Sequence, residues 1–121
     1  SPVIVVSIVN MNQLNKTSAF GRLVAEQTSA RFSQLKYNVV ELKMRNDVLV
    51  KNNQGEFLLT REIKDIADSV NAQAVVVGTY AENLNDIYIN LKVVRPSNNV
   101  VLAGHSYAIP KAANIKGMLY D

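Results

Sequence analysis

VIVVSIV, residues 3–9, decides the fold. Six of these seven residues are Val or Ile, whose β-branched side chains suit a pleated surface. An apolar run without polar alternation belongs to a strand covered on both faces, as in the centre of an α/β layer. The sequel NMNQLNKTS (10–18) is polar and Asn-rich and reads as a loop, with Asn15, Thr17 and Ser18 as candidate N-caps. The spacing predicts a helix from about Thr17 to Leu35, with Phe20, Leu23, Val24, Phe32 and Leu35 as its apolar stripe and Lys36 near its end. YNVVEL (37–42) reads as a second strand, closing a βαβ unit whose crossover is right-handed.

Farther out, DVLVK and EFLL face each other across Asn52-Asn53-Gln54-Gly55, which predicts a hairpin over 47–59. Thr60 then caps a second helix, in which Ile63, Ile66, Ala67 and Val70 keep a helical period and Asn71 marks the stop. AVVVGTY (74–80) is another apolar strand. Ile87, Ile89, Leu91 and Val93 alternate with Tyr88, Asn90, Lys92 and Val94, as in an antiparallel strand with one buried face. A last strand runs from Val100 to Ile109 and ends at Pro110. The order β-α-β-(hairpin)-α-β-β-β predicts an α/β (α+β) domain spanning 1–121, with 111–121 as a possible tail. Its twisted mixed sheet is parallel in its first half and antiparallel in its second, with two main helices covering a face.

Composition sets limits. The 121 residues are 48% hydrophobic and 19% charged, far from the disordered regime. A net charge of +3 is too small to argue for nucleic acid. No apolar run is long enough to span a membrane as a helix. Without Cys there is no disulfide, thiolate nucleophile or sulfur-based zinc site. The chain opens on Ser1-Pro2 with neither a Met start nor a signal-like region before the first strand, so the expectation is a processed chain.

Residues able to carry chemistry are few and scattered. His105, the one histidine, has no partner nearby in sequence. Glu62, Asp65 and Asp68 fit the solvated face of the second helix, with Lys64 among them. The scattered glycines form no phosphate-binding motif. Asn10, Asn12, Gln13 and Asn15 lie where an open α/β sheet binds ligands, and they also suit hydrogen bonds within their own loop. Lys43, Arg45 and Lys51 gather near Tyr37 and Phe57, but Asp47 and Glu56 interrupt them and no nucleic-acid module appears. Asn15-Lys16-Thr17 matches a glycosylation sequon only formally. The expectation is no enzyme activity, no catalytic residue, no cofactor and no metal.

Association is the better-supported use of the surface. The hairpin carries Val48, Val50, Phe57 and Leu58 and either folds back on its own domain or projects as an arm. In the second case these four form one protein-interaction patch, with Tyr88 or Tyr107 on the opposing patch.

The chain resembles the FlgO family of bacterial flagellar outer-membrane lipoproteins. The resemblance is carried by VIVVSIVNMNQLNKTSAFGRLVAEQ, YNVVELKMRNDVLVKNNQGEFLLTREI and AVVVGTY, most specifically by Asn15-Lys16-Thr17-Ser18-x-Phe20-Gly21-Arg22 and Gly55-Glu56-Phe57-x-Leu59-Thr60-Arg61-Glu62. It implies a non-enzymatic structural protein of the flagellar basal body, needed for motility. It places that protein at the outer membrane, on its periplasmic side or at the cell surface. Other flagellar proteins such as FlgP and FlgT, and further copies in a homo-oligomer or ring, are its implied partners. Membrane attachment is implied only through a lipid anchor on a cysteine this sequence does not contain. The implied fold is similar to the N-terminal α/β domain of TolB and related lipoprotein modules. The competing expectation is a periplasmic binding or activator lipoprotein on the same scaffold, unrelated to flagella.

Overall fold

The computed structural model describes residues 1–43 and 47–120. Arg45, one of the basic group noted above, lies outside the described residues. The elements are β1 (Val3–Val6), β2 (Val9–Asn10), β3 (Gln13–Thr17), α1 (Ala19–Gln34), β4 (Val39–Leu42), β5 (Leu49–Lys51), β6 (Phe57–Leu59), α2 (Arg61–Ser69), β7 (Ala74–Glu82), β8 (Asp86–Val94), β9 (Val101–Pro110) and α3 (Ala113–Lys116).

β1 is central. It pairs in parallel with β4 on one side and with β7 on the other. β7 continues antiparallel into β8, and β8 into β9. The expected change from parallel to antiparallel therefore falls at β7. Val3 and Val5 face α1, packing with Ala25 and Val76. Ile4 and Val6 face the other way, against Ile63 and Ala67 of α2 and Val48, Leu49 and Leu59. Both faces of the β1 run are thus covered, and each fully buried Val or Ile contributes roughly 1.5–3 kcal/mol. The two main helices cover opposite faces rather than one. A right-handed crossover puts α1 on the first face, and α2 shares the second with the β5–β6 hairpin.

The segment expected as a loop is in part a strand. Met11 and Asn12 make the turn, with the Asn10 side chain accepting the Asn12 amide at 2.9 Å. Gln13–Thr17 then returns antiparallel to β2 as an edge. Polar residues suffice there because most of that strand faces solvent. The helix begins at Ala19, slightly later than predicted, and its cap is one of the expected residues, Ser18, whose side chain accepts the Gly21 amide. The tail packs on the domain: Leu119 is buried with Ile87, Ile89 and Tyr80.

The hairpin folds back on its own domain. Asn52 closes it, its side chain accepting the amides of Gln54 and Glu56 at 3.0 and 2.9 Å, while Gly55 takes φ +79°. Asn99, in the turn before β9, accepts the Leu59 amide at 3.3 Å and ties the hairpin to the sheet.

Candidate interaction surfaces

The two sequence stretches singled out above have structural reasons. Thr17 donates its hydroxyl to the Ile8 carbonyl at 2.5 Å. Ser18 caps α1 and also receives the buried Tyr80 hydroxyl at 3.0 Å. Phe20 meets the Tyr80 ring edge-on at 5.5 Å, burying both rings. Gly21 lies so close to Ile8 that a Cβ would strike its carbonyl oxygen. Together they dock the first turn of α1 on the β1–β2 junction. In the second stretch, Gly55 supplies the turn, Leu59 joins the core, Thr60 donates to the Asp47 carbonyl at 3.2 Å, and Glu62 lies in the first turn of α2.

The candidate catalytic groups stay apart. His105 is exposed on β9, its ring 5.3 Å from that of Tyr107. Glu62, Asp65 and Asp68 are exposed on α2, which covers the opposite face of the sheet. Among the described residues no group of three or more His, Asp or Glu is arranged to hold a metal ion. Among them, too, no helix is long and apolar enough to cross a membrane.

The Asn-rich segment borders a polar depression of about 360 Å³, lined by Asn10, Gln13, Lys16, Thr17, Tyr80 and Tyr120. Asn12 and Asn15 lie outside it. At its rim, Tyr120 donates to Glu82 at 2.5 Å, and Lys111 lies 3.5 Å from the same carboxylate. The hydrogen bond to Glu82 raises the Tyr120 phenol above its ordinary range.

The expected hairpin patch divides. Val50 and Leu58 pair across the strands on the outer face, Val50 being 50% exposed. Val48 is 1% exposed in the core, so it cannot belong to a surface patch. Phe57 points inward over a crevice lined by Leu49, Val77 and Val94, with Lys92 Nζ 5.7 Å from its ring centre. Alternation explains the strand residues, since Leu49 and Phe57 share the covered face and Val50 and Leu58 the open one, whereas Val48 lies before β5 and turns into the core.

Tyr88 and Tyr107 stand on neighbouring strands but on opposite faces, because Tyr88 pairs with Ala108 and Tyr107 with Ile89. Tyr88 is 49% exposed beside an open apolar depression of about 350 Å³ that includes Met11, Asn90, Ser106 and Ala108. Tyr107 is half-buried against the cluster containing Ile87, Ile89 and Leu119, and desolvation raises its phenol pKa. Met11 escapes sequence reasoning because its polar neighbours read as a loop. Ser106 and Ala108 become visible only once β9 is registered on β8.

A family model described as FlgO protein matches residues 1–114. No curated protein matches the chain. Among solved structures, the chain is similar to a PelC dodecamer from Paraburkholderia phytofirmans, with 17% identity, TM-score 0.58, and coverage of 90% of this chain and 70% of that one. It is also similar to lipoprotein GNA1162 from Neisseria meningitidis, with 15% identity, TM-score 0.56, and coverage of 94% and 84%. TolB from Acinetobacter baumannii shares 11% identity at TM-score 0.51, over 97% of this chain and 25% of that one. These likenesses show a shared fold.

Proposed function

The chain belongs to the FlgO family, and on that premise we propose that it is a non-enzymatic structural component of the flagellar basal body at the outer membrane. It assembles there with itself and with other flagellar proteins, FlgP and FlgT among them, and is held to the membrane by a lipid anchor. The observation that carries this reading is the family match across residues 1–114. The surface agrees with it: the apolar groups left open include the Val50–Leu58 pair and the Tyr88 region. The similarity to a dodecamer-forming protein supports a ring or other homo-oligomer. A ring needs two different patches on each subunit, and the hairpin's outer face is the first of them. The test is fluorescent tagging of the full-length protein in its native cell, together with deletion of its gene. A focus at the flagellated pole and lost motility with normal growth are expected.

A second reading is favoured by the polar depression beside Asn10, Gln13 and Tyr120. There the same module would bind a protein or cell-wall component in the periplasm, without flagellar involvement. It predicts a uniform envelope signal, and envelope defects with normal swimming on deletion.

A further inference from the structure

β9 is an open edge of the sheet. It pairs with β8 on one side, and on the other no backbone hydrogen bond reaches residues 102–109 among the described residues. The Lys111 amide donates to the Asn85 carbonyl at 2.8 Å, which fixes the parity of the ladder, because antiparallel pairs alternate between bonded and non-bonded. The odd-numbered residues 103–109 exchange bonds with β8. Gly104, Ser106 and Ala108 therefore aim their amides and carbonyls away from the sheet, as does the Leu102 carbonyl, which shares a trans peptide with the inward Ala103 amide.

Natural edges are blunted with lysines, prolines or bulges. Here those devices lie only at the ends: an irregularity where Val94 meets Val101, and Pro110. No side chain from Pro96 to Pro110 is charged, so the net charge of +3 sits elsewhere on the surface. We infer that β9 pairs with itself: a second copy of this chain adds antiparallel to it, with the two-fold axis at His105.

Self-pairing follows from the strand's own complementarity. With His105 opposite His105 of the second copy, Gly104 meets Ser106 and Leu102 meets Ala108, so the outward groups of Gly104 and Ser106 pair with one another and the Ala108 amide finds the Leu102 carbonyl. A shift by two residues toward the C-terminus brings Leu102 opposite Pro110, which has no amide to give. A shift the other way brings Ala108 opposite Val100, whose amide and carbonyl are already used by Asn98 and Arg95. Side chains fit as well, because Tyr107 falls opposite Ala103 and Leu102 opposite Ala108, large against small. The contact is isologous. It rests only on the homo-oligomer part of the reading above, and a ring would need a further contact, for which the Val50–Leu58 face stays free. The contact is confined to one short strand edge from each copy, smaller in kind than a stable interface, so it forms at high protein concentration.

The test uses the absence of cysteine from the chain. His105→Cys places two thiols at a non-bonded antiparallel pair, with Cα atoms about 4.5 Å apart and so within disulfide reach. Ala103→Cys places them four residues out of register, more than about 10 Å apart. Under mild oxidation of the purified chain at high concentration, His105→Cys is expected to form covalent dimer roughly tenfold faster, or more, than Ala103→Cys. Adding Ser106→Pro, which removes an outward amide while sparing the β8 ladder, should lower that rate by roughly tenfold or more. Gly104→Lys should do the same by charging the seam, and a Cβ there meets nothing closer than the Leu91 carbonyl at 3.7 Å. Circular dichroism checks that each variant is folded. Equal rates for the two cysteine variants, or a His105→Cys rate unmoved by Gly104→Lys, overturn the inference while leaving flagellar localisation untouched.

Discussion

Replacing Gly21 with Ala sets two effects of opposite sign against each other. In an exposed helix interior, Gly→Ala stabilises by about 1 kcal/mol. At Gly21 the new methyl group would strike the Ile8 carbonyl oxygen and the Thr17 hydroxyl. The oxygen belongs to backbone and cannot rotate away. The helix must therefore retreat from the β1–β2 junction, where the Ile8 amide donates to the Gly21 carbonyl at 3.2 Å and Thr17 donates to Ile8. Losing both bonds costs roughly 1 kcal/mol each, and overpacking adds about 1–3 kcal/mol. Set against the gain in propensity, the net effect is a destabilisation of about 2–4 kcal/mol. Urea denaturation followed by circular dichroism measures it through the midpoint, provided the slope is unchanged. A Gly21→Ala chain as stable as the parent, or more stable, would refute the close-approach argument.

Three further predictions concern other parts of the structure. Ser29, on the buried side of α1, has a hydroxyl with no hydrogen-bond partner among the described residues, so Ser29→Ala should stabilise by about 1 kcal/mol in the same urea assay. Val48 is buried and Val50 half exposed. Val48→Asp should therefore unfold the domain by burying a charge, at a cost above about 4 kcal/mol, whereas Val50→Asp should cost about 1 kcal/mol or less and impair assembly in cells while thermal melting stays cooperative. Tyr120 should ionise above its ordinary range in an ultraviolet pH titration. Because the folded pKa is raised, its bond to Glu82 is intact below the unfolded phenol pKa and is lost as pH rises through the folded one, and Glu82→Gln should bring the transition down.

The parts of the fold that burial dictates are the parts readable from residues alone. Six β-branched residues in VIVVSIV can be satisfied only by cover on two faces, and Ile63, Ile66, Ala67 and Val70 admit only a helix. β3 is hidden in the sequence because an edge strand needs no apolar period: QLNKT is held by backbone pairing and by Thr17, and its neighbours mimic a loop. Which sheet face α2 takes is equally hidden, since its stripe fits either one. The hairpin's surface is legible only in part. Val48 lies just before β5 and turns into the core, whereas Val50 faces out, and no composition signal separates them. Tyr88 and Tyr107 are separable only with the β8–β9 register in hand, because that register sets which side of the sheet each one faces.

Electron cryotomography of flagellar bases in native cells with and without this gene would show the proposed structural role in place. A ring of density at the outer membrane should disappear on deletion and return with the wild-type gene, but not fully with Val50→Asp. Flagellar bases indistinguishable between the two strains would contradict it.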